Sequence, residues 1–389
     1  MKKTFILLFL IMFLIGTDTF LVSPLLPTLS ETYQIPTSIS GWMVSAYALG
    51  YALFALISGP ISDRLDRKRV MIYGLIAFSV STFLCGLAPT FPAMLLCRFL
   101  AGVSASFVTP QVWASIPVLV PPKDVVKAMG YASAGLSISQ LVGIPTGSYL
   151  ATLTWHTPFF VIAIFALVLL LLIAAMFPSI KTMEDNTHGH ISLIKTYSGL
   201  LRMPGIIKYL FAYFIFQIGT FTSFTFIGTW FTKDFELMFS GVGTAMIAIG
   251  LGNTIGSFYG NRIVKILGDS KTLLISIPCL AALYIVLPFA PNLIFAEIIL
   301  FLIFLINGCT FPILMALLQN FTTTARGTAS SLSNAAMYAG TTLGGIIGGA
   351  LFSSAAGFKG VAIFTAFIYL ISILFFSISG IFKPVMAKK

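Results

Sequence analysis

The sequence predicts an all-α protein that crosses a membrane twelve times, and three observations carry that prediction. Its 389 residues are 58% hydrophobic and only 8% charged, with a mean hydropathy of +1.01, whereas a soluble domain carries about 25% charged residues. Apolar runs recur at the length of about 20 residues that a helix needs to cross a bilayer core. Basic residues collect on one side of those runs. Long unbroken apolar stretches exclude a porin-like barrel, whose strands are short and alternate. The 33 glycines and 37 phenylalanines suit helices that pack backbone to backbone in lipid, with aromatic rings filling the gaps.

Twelve spans are expected, near 5–26, 40–62, 70–89, 92–119, 128–152, 157–177, 205–231, 241–263, 272–290, 292–318, 327–355 and 360–382. The first follows Lys2 and Lys3 and imitates a secretory signal. No small-residue cleavage site follows it, however, and the apolar run continues through Asp18 toward Leu26, so a retained helix is expected. The eleventh contains Gly344-Gly345-Ile346-Ile347-Gly348-Gly349, a run expected to kink it.

Lys and Arg favour cytoplasmic loops. With both termini inside, all but three of the 22 basic residues fall on the cytoplasmic side; Lys233 and Lys359 fall outside, and Arg98 lies within a span. The expected topology is therefore a multi-pass protein of the cell membrane with both termini cytoplasmic. The net charge of +11 is then a topology signal and a contact with lipid head groups rather than a nucleic-acid footprint. The longest loop divides the chain into a six-helix bundle over 1–177, a cytoplasmic linker over 178–204 and a second six-helix bundle over 205–389. The halves echo each other at a shift of about 200 residues: Asp18 with Gln217, Arg98 with Glu297, Asp63-Arg64 with Asn261-Arg262, and Gly143–Gly147 with Gly344–Gly348. Such duplication is the mark of a transporter whose substrate binds near the midplane between two repeats.

Away from the cytoplasmic ends of the spans, only three charged side chains lie inside them: Asp18, Arg98 and Glu297. A charge at bilayer depth is costly and is a functional-site hypothesis by default. At ~1.5 Å per residue, Asp18 lies about 9 Å from the outer edge of the core, and Arg98 and Glu297 at about the same depth. The expectation is that two carboxylates share one guanidinium in a site that takes up and releases a proton. The bland alternative is a fixed Asp18–Arg98 ion pair, with Glu297 snorkelling outward. Gly102, Ala105 and Thr109 form a small-residue face on the side of Arg98. Gln217, Thr220 and Ser223 give the seventh span a polar strip, and Asn307 and Asn334 are further uncharged candidates for lining a cavity. Phe216, Phe221, Phe224 and Trp230 are aromatic candidates for the same role.

Cys85, Cys97, Cys279 and Cys309 all lie in apolar segments without ligand spacing and are read as buried small hydrophobes. His156, His188 and His190 lie in loops, and no metal site is expected. No G-x-x-x-x-G-K-[ST] loop is present, which disfavours an ATP-driven pump, and no nucleophile–base motif points to an enzyme.

The segment Gly59-Pro60-Ile61-Ser62-Asp63-Arg64-Leu65-Asp66-Arg67-Lys68-Arg69 resembles the signature G-x-x-x-D-R-x-G-R-[RK] of the major facilitator superfamily. Arg98 and Gly102 are similar to that superfamily's R-x-x-x-G motif. Gly135 and Gly143-Ile144-Pro145-Thr146-Gly147 resemble its antiporter motif. With Asp18-Thr19-Phe20 and Pro24-Leu25-Leu26-Pro27, the likeness is to the twelve-helix drug:proton antiporters. It covers the whole chain and is strongest over 14–150.

The resemblance implies the major facilitator fold, with helices one, four and ten facing a central cavity. It also implies a cytoplasmic gate of Gly59, Asp63, Arg64 and Arg67, for which Asp124 is a candidate partner, and a fifth helix packed across the interface between halves through Gly135, Gly143, Pro145 and Gly147. Two departures stand out. Asp66 occupies a position where the signature has glycine, and Gly-Ile-Pro replaces the commoner Gly-Pro. The latter variant resembles the branch that holds sugar, purine, nucleoside and chloramphenicol-type exporters.

A monomeric, proton-coupled exporter of small amphiphilic compounds is therefore expected, with no cofactor beyond the coupling proton and no nucleic-acid partner. Export of a specific metabolite, a sugar, purine or nucleoside, is the alternative. A membrane receptor or scaffold is a remote one.

Overall fold

The computed structural model describes residues 2–62, 65–121, 125–180, 193–319 and 326–382. Among these the chain is helical throughout, without strands. Eleven helices are long and apolar enough to cross a membrane. Labelled by span, they are α1 (Lys2–Thr32), α2 (Trp42–Ser62), α3 (Arg67–Leu87), α4 (Phe91–Leu119), α6 (Thr157–Met176), α7 (Ile206–Asp234), α8 (Ile247–Leu267), α9 (Asp269–Val286), α10 (Leu293–Gln319), α11 (Arg326–Phe352) and α12 (Gly357–Ser379). The fifth span, α5, is interrupted: Val125–Ile138 passes through a π-helical turn, Ser139–Gly143, into Ile144–Ala151. The short helix Leu193–Leu201 lies between the spans, whereas Thr37–Ser40 and Phe239–Ala245 lead directly into α2 and α8 and belong to their apolar stretches.

The break therefore falls in α5 and not in α11. Pro145 has no N–H to return to the carbonyl of Leu141, and a π-turn accommodates such a register fault within a continuous helix. The glycine run of α11 instead stays helical because each glycine is a site of close approach. Gly344 and Gly348 lie against the backbone of α7 at Thr222, with Phe226 over Gly348, while Gly345 and Gly349 lie against the carbonyls of Gly41 and Ser38. Packing, rather than flexibility, explains the run.

The helix pairs repeat with a period of six. α1 packs on α5 as α7 packs on α11; α2 on α4 as α8 on α10; α3 on α6 as α9 on α12. The glycine echo has the same origin. Gly143 and Gly147 seat Thr17 and Leu21 of α1, as Gly344 and Gly348 seat α7. Gly50 meets the carbonyl of Phe99 as Gly252 meets that of Phe301. Contacts between the two sets of six run chiefly along α2–α11, α5–α8 and α1–α7.

Local signals set the helix ends. Asp66 caps α3, accepting the N–H of Lys68 at 3.0 Å. Thr90 caps α4, with Pro92 in its first turn. Gly380, at φ +87°, closes α12. Gly59 near the end of α2 faces Ser331 near the start of α11, which places the start of α1 and the end of α12 at one end of the molecule and leaves the opposite, far end to the loops that follow the odd-numbered spans.

Candidate functional site

Asp18 and Arg98 meet in the interior. Arg98 Nη1 lies 3.0 Å from Asp18 Oδ2, and both side chains are buried to 1% exposure or less. Among the described residues this is the buried ion pair of the molecule. Arg98 Nη2 reaches the backbone carbonyl of Asp18 at 3.5 Å, and the guanidinium carbon lies 4.4 Å from the centre of the Tyr47 ring, within cation–π range. Among the described residues, Asp18 Oδ1 and Arg98 Nε have no hydrogen-bond partner. The pair is thus clamped on one side and keeps one buried, unpartnered atom on each residue.

Helix packing delivers the pair. Gly102, one turn after Arg98, lies against the backbone of Tyr47, so α2 and α4 approach closely enough for the ring to reach the guanidinium. Ala105 is buried on the same face. Tyr47 and Tyr51, one turn apart on α2, extend the site toward α11. The Tyr51 ring stacks on Tyr338 at 3.8 Å, and Tyr47 lies 6.3 Å from the same ring. The hydroxyls of Thr19 and Tyr47 are 3.2 Å apart. A narrow crevice beside the ion pair is lined by Phe20, Ser23, Phe221, Phe224 and Tyr338, among others.

Glu297 does not join this group. It sits partly exposed in the first turns of α10, and among the described residues it has no hydrogen bond or ion pair. The expected sharing of one arginine by two carboxylates is therefore corrected: Arg98 pairs with Asp18 alone. Equal depth placed the residues in one layer, but depth says nothing of azimuth. Glu297 stands two turns before Phe304 and so on the same helix face; the Phe304 ring lies 6.0 Å from that of Phe224 at the crevice.

The polar strip of α7 divides. Phe224 lines the crevice. Gln217 is buried and donates to Tyr213 at 2.8 Å, and Thr220 lies 3.0 Å from the Tyr369 hydroxyl. Both belong to an uncharged network inside the second set of six helices. Asn307 and Asn334 are buried with an unpaired side-chain nitrogen each. Phe216 stacks on Tyr369 at 4.9 Å. Trp230 stacks on Phe358 at 4.3 Å and donates to Asp234 at 2.9 Å, so it packs the far end rather than the crevice beside the ion pair.

In the segment expected to form a gate, Gly59 lies at the α2–α11 seam, and Arg67 donates to the carbonyl of Ala114 on α4. Asp63, Arg64, Asp124, His188 and His190 lie outside the described residues. Asp66 does more than cap: Ser179 donates its hydroxyl to Asp66 and Ile180 its N–H, at 3.2 Å for the latter. Burial alone would push the Asp66 carboxyl up. The Ser179 hydroxyl, the N–H groups of Lys68 and Ile180 and nearby Arg69 outweigh it and hold the group below its ordinary range.

The glycines of α5 also correct an expectation. Gly135, Gly143 and Gly147 pack against Phe9, Thr17 and Leu21 of α1, within their own set of helices. The interface between sets is served instead from the other side, where Gly243 and Gly250 seat Ser148 and Leu141. Pro145 lies at the start of the segment after the π-turn. Beside it, Asn253 of α8 donates to Gln140 at 2.7 Å.

Sequence reasoning misses Tyr47, Tyr51, Tyr338, Gln140 and Asn253. Gln140 and Asn253 carry a signal, as polar amides inside apolar spans. The tyrosines carry none, because a tyrosine in a membrane helix is unremarkable until its neighbours are known. Cys85 and Cys309 are buried, but Cys279 is exposed on α9, against expectation; all four thiols are free. No metal-ligand cluster occurs among the described residues.

Comparison with known proteins agrees with this architecture. The family model described as Major Facilitator Superfamily matches residues 8–340 and 209–385. The chain is 53% identical over 366 residues to the MFS-type transporter YceJ of Bacillus subtilis (strain 168), covering 94% of this chain and 93% of that protein. It is 37% identical over 147 residues to Multidrug resistance protein 1 of the same organism, covering 38% of each. Among solved structures, a D-xylose-proton symporter superposes with a TM-score of 0.82 at 16% identity, over 98% of this chain and 97% of that one. With a family match across its length and a relative sharing half its residues, the chain belongs to the major facilitator superfamily and is a multi-pass membrane transporter, not an enzyme.

Proposed function

We propose that this transporter exports small amphiphilic organic compounds in exchange for protons, and that the Asp18–Arg98 pair couples the two movements. The observation that carries the reading is a buried carboxylate with one oxygen held by a guanidinium and the other unpaired. A proton delivered to Asp18 cancels the charge that holds Arg98. The arginine then keeps only the Tyr47 ring and the Asp18 carbonyl, and the seam between α1, α2, α4 and α11 is free to rearrange. Release of the proton restores the pair. Glu297 acts separately in this scheme, as a protonatable group near the outer end of α10.

Residues 1–177 and 205–389 move as two bundles joined by the linker 178–204, with both termini in the cytoplasm and the far end outside. The gate of Gly59, Asp63, Arg64 and Arg67 then lies at the cytoplasmic end. The protein works as a monomer, without a cofactor, in the cell membrane. Aromatic rings at Phe20, Phe221, Phe224 and Tyr338 favour planar apolar cargo, in keeping with the multidrug resistance relatives. Asn307, Asn334, Gln217 and Thr220 supply polar groups as the bundles part.

The test is substrate-triggered proton movement in inverted vesicles, screened across drugs, nucleosides and sugars. Asp18→Asn should lose proton-driven efflux. It also leaves Arg98 as an uncompensated buried charge, an effect of about 3–5 kcal/mol in protein interiors, so abundance in the membrane is measured alongside. Full pH-gradient-driven efflux by Asp18→Asn would remove Asp18 from the coupling site. A proton signal confined to a sugar or nucleoside would replace the drug reading with a metabolite one.

A further inference from the structure

α2 contains Pro60 two residues before its end. Proline has no N–H, so it returns no hydrogen bond to the carbonyl four residues earlier, that of Leu56. The Tyr197 hydroxyl donates to that carbonyl at 2.8 Å. Tyr197 sits in the middle of the short helix Leu193–Leu201, which packs against both α2 and α11. At the same level, Gly59 of α2 faces both Ser331 of α11 and the Tyr197 hydroxyl, the latter at a distance that a methyl group would close. A helix from outside the two bundles thus lies across their seam, tied to the one carbonyl that Pro60 leaves unanswered.

We propose that the helix Leu193–Leu201 is a latch on the cytoplasmic gate, and that Tyr197 is its bolt. The assignment rests on the alternating-access reading of the two bundles. For the transporter to open inward, α2 and α11 separate at Gly59 and Ser331. The latch helix touches both, so that separation strips it from one of them. A hydroxyl-to-carbonyl bond is well suited to this, since it is directional and carries no charge that would anchor the gate shut. Pro60, in the middle of the gate segment, then has a second role besides ending α2: it reserves a carbonyl for the latch.

The test uses the full-length protein in inverted vesicles. Ser331→Cys serves as reporter and a water-soluble maleimide as probe, with the labelled peptide quantified by mass spectrometry. Tyr197→Phe keeps the ring and removes the hydroxyl, and labelling at position 331 should quicken about fivefold. Pro60→Ala restores an N–H that competes for the Leu56 carbonyl, so adding Tyr197→Phe to it should change labelling far less. Equal labelling of the parent and Tyr197→Phe overturns the latch. A position 331 that reacts after unfolding but never in the native protein overturns alternating access at this seam, and the latch with it.

Discussion

Asp66 shows how a departure from a family signature becomes legible only in three dimensions. In sequence it is an acid where the signature has glycine; in the fold it caps α3 and holds Ser179 and Ile180 after α6. Its carboxyl is held below the usual aspartate value of 3.8. The stabilisation from a lowered pKa is complete above the unfolded-state value and disappears as pH falls through the folded one. Asp66→Ala should therefore lower thermal stability in detergent at neutral pH, by about 1 kcal/mol for the cap alone. The gap to the parent should close as the pH is taken below the aspartate range. Equal stability at neutral pH would show that neither cap nor anchor matters. The sequence announces that residue 66 is unusual, but not that it meets Ser179 and Ile180, which lie more than 100 positions away.

At the scale of elements, glycines govern how closely helices approach. A methyl group at Gly102 would meet the backbone of Tyr47, which cannot swing aside as a side chain can. Gly102→Ala should then push α2 from α4, withdraw the Tyr47 ring from Arg98 and cost about 1–3 kcal/mol, as overpacking does. Gly130→Ala is the control, since nothing lies within 4 Å of its added methyl. If the two variants are equally stable and equally abundant in the membrane, close α2–α4 approach is not what positions the pair. Length and apolar periodicity make nearly every helix legible in advance. They fail at α5 and α11, where the run of glycines suggests a kink that packing suppresses, and a single proline produces the π-turn. They fail too at Glu297, because a count of residues gives depth along a helix and leaves its facing direction open.

For the whole molecule, the decisive contacts are those between the two sets of six helices. On the far side they are made by glycines and hydroxyls: Gly41 against Gly345, Ser45 to the Thr342 carbonyl at 2.7 Å, and Ser23 to the Phe224 and Thr225 carbonyls at 2.8 and 2.9 Å. The Gln140–Asn253 pair joins the sets where α5 turns. Replacing either amide by leucine strands its partner, whereas replacing both strands nothing. The two single variants should lose stability and the double variant should recover it, with a coupling of about 0.6–1.7 kcal/mol, as membrane proteins show. Additive losses would mean that the amides act independently. The twofold echo of the chain and its duplicated glycines are visible in sequence. The amide bridge is not, because two neutral side chains 113 positions apart carry no mark of their meeting.

The two halves differ electrically at their cores. Among the described residues, the first holds a paired acid and base; the second, around Tyr213, Gln217, Asn307 and Tyr369, holds none. In the proposed coupling scheme, while Asp18 and Arg98 are both ionised their pair is neutral, and the membrane potential finds no net charge there. Once Asp18 takes a proton, that core carries one positive charge, and a charge crossing the full membrane field responds by about 2.3 kcal/mol per 100 mV. At this pair, voltage would then act on the protonated carrier and spare the deprotonated one.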